Sequence, residues 1–221
     1  MKKNILSLCV VATLAFGAVS CNNDKSKAGD AVKIEDATTD AARFVVDAND
    51  SKIDWIGSKV GGEHKGDLKL KSGELSVKDG VVQGGSFIID VQSINVTDLS
   101  GDDKAKLEGH LKGLAQDESA DHFFNTTKFP EGKFEISSIA DEGGKTFITG
   151  NLTLKDITKS VKFPAVIKVT DNDVTIESEA FAINRTDFNI NYGSGSKFTD
   201  LAADKVISDD IKLQVKVVAK K

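Results

Sequence analysis

Residues 210–217 read Asp-Ile-Lys-Leu-Gln-Val-Lys-Val, a stretch in which polar and apolar side chains alternate one by one. Alternation with a period of two is typical of a β-strand that is buried on one face and exposed on the other. The pattern recurs through most of the chain, for example in residues 52–55, where Ile53 and Trp55 share one face. At least eight such strands fit. The sequence therefore predicts an all-β domain.

Turn-forming residues separate the predicted strands, at residues 78–80, 141–144 and 171–173. One segment breaks the alternation, because leucines recur at helical spacing in residues 100–114, which predicts a short helix there. Strands, one helical excursion and further strands are the order expected of an antiparallel barrel with a cap. We therefore expect an eight-stranded antiparallel lipocalin-like barrel with one short helical excursion.

The interior of such a barrel is either filled by side chains or just wide enough for one small ligand. Eleven of the twelve phenylalanines lie in the predicted barrel domain. Phenylalanine has no polar group, so it suits a dry interior that meets hydrocarbon, although composition alone favours a filled phenylalanine-rich core, because buried phenylalanine is common in any core. An immunoglobulin-like sandwich is the competing fold, but the Cys…Trp…Cys spacing of its disulfide-linked forms is absent. The sequence leaves a hollow and a filled barrel open.

The N-terminus has the layout of a secretory signal. Lys2 and Lys3 precede an apolar run at residues 5–19, which is shorter than the roughly 20 residues that a membrane-spanning helix needs. The run ends in Ala-Val-Ser-Cys, similar to the bacterial lipoprotein signal, with Ala18 in place of the usual leucine. We expect a lipoprotein signal peptide at residues 1–20 and lipidation of Cys21; a plain signal peptide with an incidental cysteine is the alternative.

Residues 21–42 are small, charged and poor in aromatic residues, which predicts a flexible tether between Cys21 and a domain at residues 43–221. More than one acyl chain on Cys21 would give stable membrane anchoring. The expected location is the cell envelope, with the domain facing the periplasm or exposed at the surface.

Composition and motifs argue against several functions. The net charge is −5 and the charges are interspersed, so there is no basic stripe for nucleic acid. His64, His110 and His122 are too widely spaced for a zinc motif, and no Gly-x-Ser-x-Gly motif is present. We therefore predict no catalysis, no metal and no cofactor; a metal-assisted enzyme that uses the histidines is the alternative.

The ordered set of short motifs resembles the bacterial YceI-like family, lipocalin-like barrels that bind isoprenoid lipids. The resemblance runs from about Arg43 to the end of the chain. Its motifs are Ser51 to Gly57, Gly62 to Gly66, Leu70 to Gly73, Gly84 to Asp90, Leu107 to Leu111, Asp121 to Phe124, Lys128 to Pro130, Gly150 to Leu154, Phe163 with Pro164, Asn184 to Phe188, and Ser208 to Ile211.

This resemblance implies a barrel around a long apolar channel that accepts an isoprenoid chain, such as a quinone tail. A filled, structural or stress-related surface module is the alternative, and a homodimer is conceivable, although the sequence shows no interface for it. We place nine side chains near the tail: Trp55, Phe87, Ile89, Phe123, Phe124, Phe134, Phe147, Phe181 and Phe188. We place five at the mouth or in its loops: His64, His110, Asp121, Arg185 and Asp187, with a structural Arg185–Asp187 ion pair as an equal reading of the last two.

Overall fold

The computed structural model describes residues 28–34, 40–114 and 118–221. The predicted signal peptide and Cys21 lie outside the described residues. The described strands are β1 (Gly29–Asp30), β2 (Ala42–Val46), β3 (Lys52–Lys59), β4 (Gly62–Lys78), β5 (Val81–Val96), β6 (Glu131–Glu142), β7 (Lys145–Leu154), β8 (Ile157–Val169), β9 (Asp173–Ser178), β10 (Phe181–Asn184) and β11 (Asp210–Lys220). One α-helix, α1 (Gly101–Lys112), and three 3-10 turns at Glu118–Asp121, Arg185–Phe188 and Ala203–Lys205 complete the elements.

Eight of the strands form a closed ring of antiparallel pairings. Strand β3 pairs with β4, each strand from β4 to β8 pairs with the next, β8 pairs with β9, and β9 pairs with β11. The ring closes where β11 returns to β3, with Leu213 opposite Trp55. The prediction of an all-β antiparallel fold with eight ring strands is confirmed. One continuous sheet also rules out the immunoglobulin-like sandwich, which has two separate sheets.

Two of the three remaining strands are continuations of ring strands. Strand β2 lies between β4 and β11, where these two strands extend beyond their pairing with β3. Phe44 is opposite Leu75, and Val46 is opposite Ala219. Strand β10 follows β9 and pairs with the first half of β11. The β2–β3 and β9–β10 stretches are interrupted at residues 47–51 and 179–180, which adds two strands to the eight of the ring, and β1 is the eleventh.

Strand β1 lies within the segment that the sequence predicts as a tether. Gly29 and Asp30 pair with Ser160 and Lys159 on the first half of β8, a stretch of edge that β9 leaves unpaired. The Asn151 side chain, outside the barrel on β7, accepts from the Val32 amide at 2.9 Å and donates to the Val32 carbonyl at 2.7 Å. An unpaired strand edge offers backbone hydrogen bonds to any nearby chain. Part of the predicted tether is therefore attached to the barrel.

Helix α1 confirms the predicted excursion. It ends where Gly113 adopts φ = 69°, a left-handed conformation that favours glycine and that lets its amide donate to the His110 carbonyl at 3.1 Å. Glu108 accepts a hydrogen bond from the Val96 amide at 2.8 Å, which holds the helix against the end of β5. The helix thus lies across one end of the barrel.

Candidate ligand-binding cavity

The inward-facing side chains of the ring strands leave an interior cavity. Its volume is about 230 Å³, and its accessible wall is apolar. An engineered apolar cavity of about 150 Å³ already stays dry and binds benzene. The barrel is therefore hollow, which answers the question that the sequence left open.

A band of phenylalanine rings crosses the wall of the cavity. Phe87 and Phe134 stack with ring centroids 6.4 Å apart, and Phe134 lies 5.7 Å from Phe163. Phe163 in turn stacks on Phe181 at 4.5 Å, which joins β8 to β10 where the two strands are not hydrogen-bonded to each other. The rings contribute no hydrogen-bonding group, so this part of the wall suits hydrocarbon.

Eight of the nine side chains that the sequence places near the tail line the cavity, namely Trp55, Phe87, Ile89, Phe123, Phe124, Phe134, Phe181 and Phe188. Phe147 differs from its predicted position. It lies on the outer face of β7, where the ammonium of Lys162 is 4.8 Å from the ring centroid, while its neighbour Ile148 lines the cavity. The alternation Ile148, Leu152, Leu154 already indicated that odd-numbered positions of this strand face outward.

Much of the cavity wall is aliphatic, whereas the residues predicted from the sequence are mainly aromatic. Leucines and isoleucines of the ring strands complete it, and Leu107 and Leu111 of α1 cover it from one end. The period-two pattern was the signal for the strand residues. The missed residues include Leu68, Leu70, Ile136, Phe163, Ile176, Ile183, Leu213 and Val215.

Of the five predicted mouth residues, His64 and Arg185 lie around the cavity. His64 Nδ1 is 2.8 Å from a carboxylate oxygen of Asp98, at the end of the barrel where β3 turns into β4. His110, Asp121 and Asp187 are not part of the cavity wall.

Arg185 braces the chain that follows β10. Its side chain is 3% exposed and donates to the carbonyls of Ser208 at 2.9 Å, Ile190 at 2.7 Å and Ile207 at 3.1 Å. Burial lowers the pKa of the Arg185 guanidinium, while the Asp209 carboxylate, 3.6 Å away, opposes that effect. The acidic partner of Arg185 is therefore Asp209, not the predicted Asp187, because residues 185–188 form a tight 3-10 turn and β11 brings Asp209 alongside.

His110 belongs to an aromatic cluster beside the cavity. Its Nε2 lies 3.1 Å from His122 Nδ1, and its ring meets Phe123 edge-on at 5.0 Å and Tyr192 at 4.9 Å. Tyr192 also stacks on His122 at 4.3 Å. Burial and then the proximity of His122 lower the pKa of His110. The cluster connects α1 to the two loops that flank it.

Asp121 is a structural residue in this arrangement. The ammonium of Lys155 lies 2.9 Å from its carboxylate, and the hydrogen bond from Lys155 lowers the pKa of Asp121. Lys155 is itself only 3% exposed in its side chain and also donates to the Phe123 carbonyl at 2.9 Å. Lys155 and Asp156 have φ of 48° and 61° in the tight turn between β7 and β8. Glycine is the usual residue in this left-handed conformation, and neither position is a glycine.

Two kinds of feature are absent from the described part of the chain. Residues 28–34, 40–114 and 118–221 contain no group of three or more His, Cys, Asp or Glu side chains placed to hold a metal ion. Within the same ranges there is no helix of the length and hydropathy needed to span a bilayer.

A hollow antiparallel barrel with an apolar, phenylalanine-rich cavity defines a class of small-ligand-binding β-barrels. The particular family follows from comparison: the model of the YceI-like domain family matches residues 44–219, so the chain belongs to that family.

The UPF0312 protein of Shewanella denitrificans is 34% identical over 108 residues, which are 48% of each chain. Protein YceI of Shigella flexneri is 34% identical over 117 residues, 49% of this chain and 56% of the relative. These matches thus span about half the length of the relatives.

Solved structures share the fold. Burkholderia cenocepacia BcnA has a TM-score of 0.61 at 22% identity, covering 79% of this chain and 99% of its own. A polyisoprenoid binding domain from Saccharophagus degradans, implicated in plant cell wall breakdown, has a TM-score of 0.55 at 13% identity and covers 81% of this chain and 98% of its own. At these identities the likeness concerns the fold.

Proposed function

We propose that this protein binds an apolar isoprenoid-type lipid, such as a quinone, inside the barrel, and that it carries or sequesters the lipid without chemical conversion. The observation that supports this most directly is the hollow interior with its apolar, phenylalanine-rich wall. The fold neighbour from Saccharophagus degradans, a polyisoprenoid binding domain, points the same way. Each buried methylene of a ligand contributes about 0.8 kcal/mol, so a few isoprene units supply useful affinity.

One polar atom among the wall residues has no hydrogen-bond partner. The Nε1 of Trp55 is buried and has no hydrogen-bond partner among the described residues. A buried donor without an acceptor costs about 1–3 kcal/mol. Because the accessible wall of the cavity is apolar, this N–H does not open into the cavity, and a quinone oxygen becomes its acceptor only if the indole ring turns.

The proposed setting is the cell envelope, with the domain outside the cytoplasm and anchored to a membrane through a lipidated Cys21. The support for this is the N-terminal sequence: two lysines, a short apolar run and a cysteine at its end. Radiolabelled palmitate in the native host would label the wild-type chain and leave Cys21→Ser unlabelled. Labelling of both chains, or of neither, would contradict lipidation at this residue.

The decisive experiment identifies the cargo. The full chain is expressed in its native host and solubilised, the barrel is released by limited proteolysis and purified without detergent, and the extracted lipid is analysed by mass spectrometry. We expect an isoprenoid lipid at close to one molecule per barrel. An empty barrel that also fails to take up a quinone would overturn the proposal.

Two neighbouring residues of β7 provide a matched pair of variants. Ile148→Trp adds a large ring to the cavity, whereas Phe147→Trp adds one to the outer face of the same strand. Circular dichroism checks that both variants fold, because overpacking a core costs about 1–3 kcal/mol. The bound lipid should decrease in Ile148→Trp and remain unchanged in Phe147→Trp; equal lipid content in the two variants would place the cargo outside this cavity.

A further inference from the structure

The cavity opens at the end of the barrel that carries α1. Its wall there includes Lys59, Gly62 and Glu63, exposed residues of the turn between β3 and β4, as well as Leu107 and Leu111 of α1. We call this end the mouth. The chain after β10 forms its third side, because Ile207 bridges to Lys59.

Four large apolar side chains at the mouth are exposed to solvent, and we refer to them as the rim: Val60 at 63%, Leu114 at 60%, Phe198 at 46% and Tyr192 at 40%. Val60 follows Lys59 in the turn between β3 and β4. Leu114 follows the end of α1, and Tyr192 contacts His110 of the same helix.

Phe198 is connected to the same end through the backbone. Its amide donates to the Ser194 carbonyl at 3.0 Å, and Ser194 bridges to Ile207, the residue that reaches Lys59. The four rim residues therefore lie on segments that meet at the mouth.

The rest of the described surface provides the contrast. Its other exposed large apolar residues are valines only, at positions 32, 45, 81 and 166. Isolated exposed valines are normal on a soluble protein, whereas a group of exposed apolar residues around a cavity opening marks an interaction site. Both strongly exposed aromatic residues of the described chain, Tyr192 and Phe198, belong to the rim.

The chemistry of the rim matches the interfacial layer of a phospholipid bilayer. Tyrosine and phenylalanine beside flexible charged residues are typical of surfaces that enter this layer. Lys197 and Asp200 flank Phe198, and the Lys205–Asp204 pair at 3.4 Å lies in the same loop, so charges of both signs surround the apolar residues. Hydrophobic insertion, with little dependence on anionic lipid, is the mode of binding that this balance favours.

The position of the N-terminal segment also bears on a phospholipid bilayer at the rim. The described chain begins at Ala28, and β1 pairs with the fourth residue of β8, Ser160, close to the turn at Lys155 that contacts the loop beside α1. Six residues lie between Cys21 and Ala28, and the seven Cα–Cα steps span at most about 25 Å. The antiparallel pairing of β1 with β8 directs the chain before Gly29 away from the mouth, but a link of this length can turn back over the few residues between Ser160 and the turn at Lys155, so an anchor at Cys21 can bring the mouth to the bilayer.

We propose that the rim docks the mouth of the barrel onto a phospholipid bilayer, so that apolar cargo passes between membrane and cavity without crossing water. This inference rests on the proposed function for the nature of the cargo. The docking itself depends only on the rim.

Residues 28–221, which contain every described strand and the whole described core, are tested by flotation with phosphatidylcholine vesicles. We expect this protein to float with the vesicles, and the double variant Val60→Asp with Phe198→Glu to reduce the bound fraction at least tenfold. Val81→Asp is the control, because Val81 is 57% exposed, a value between those of Val60 and Phe198, and begins β5 beside the hairpin turn at the opposite end of β4. Replacing a fifth of the lipid by phosphatidylglycerol should change binding less than twofold.

The cargo content of each variant, measured by mass spectrometry, separates this proposal from the proposed function. A rim variant that holds as much lipid as the wild type but exchanges it more slowly with vesicles supports docking. A wild-type protein that does not float, with equal exchange rates in all variants, overturns docking and leaves cargo binding intact. If no protein holds a lipid, the proposed function fails and flotation still decides the docking.

Light scattering of the same proteins tests the other occupant of the rim, a second copy of the chain. A dimer that the rim variant converts to a monomer would overturn the membrane proposal.

Discussion

The two ends of the barrel are stabilised in different ways. The end opposite the mouth is closed by apolar packing around β2, with Phe44, Leu75, Val174 and Ala219 almost completely buried. The mouth is held by polar and aromatic contacts, through Lys155, Arg185 and the His110 cluster. Close-packed apolar groups allow little movement, whereas loops held by a few polar contacts open at a lower free-energy cost. We therefore expect cargo to enter and leave at the mouth only.

The largest effect is expected from a cavity at the closed end. Leu75→Ala removes a side chain with no exposed surface and should lower the free energy of unfolding by about 2–5 kcal/mol. Urea denaturation measures this. Leu111→Ala at the mouth is the matched substitution, and it should cost clearly less because Leu111 is only half-buried. Equal costs at the two ends would remove the contrast between them.

A smaller loss of stability is expected when the polar contacts that hold the mouth are removed. Lys155→Met keeps the length of the side chain but leaves the Phe123 carbonyl and the Asp121 carboxylate without this partner. The expected cost is about 1–3 kcal/mol in the free energy of unfolding. Hydrogen exchange should accelerate in residues 118–129 by the factor that this cost implies. Unchanged exchange in residues 118–129 would show that Lys155 does not hold this loop.

The His110 cluster should make stability depend on pH. Since the folded-state pKa of His110 is lowered from 6.5, the unfolded chain binds this proton first as the pH falls. The contribution of His110 to stability is therefore complete above about pH 6.5 and decreases as the pH falls from there towards the lowered folded-state pKa. Thermal melts of the wild type and His110→Gln at pH 7.5 and 5.5 measure the difference. An identical pH dependence in the variant would exclude His110 as its source.

The finest distinction concerns the head of the cargo. Trp55→Phe removes the unpartnered indole donor and keeps an aromatic ring on the wall. We expect the affinities for a quinone and for a hydrocarbon such as squalene to change in parallel, because the buried Nε1 has no accessible surface on the cavity wall. Fluorescence competition with a lipid probe gives both affinities. A loss confined to the quinone would show that the indole turns and donates a hydrogen bond to the cargo.

Local patterns in the sequence predicted the elements and most of the cavity wall. Side-chain alternation is a property of a strand by itself, so the pattern alone was enough to place Phe87, Ile89 and Phe134 inside the barrel. Phe147 was placed wrongly because aromatic character was given more weight than its position in the alternation. The helix at α1 was equally predictable, since its leucines recur within one segment.

The tertiary structure alone decided which distant groups meet. Arg185 lies beside Asp209 and not Asp187, His110 beside His122, and Lys155 beside Asp121. It also decided that β1 attaches to β8 and that the barrel is hollow. Each of these outcomes depends on how ring closure sets the register and spacing of strands far apart in the chain. A period-two pattern carries no information about that register, so the sequence by itself determined the strands, the helix and the face that each residue occupies.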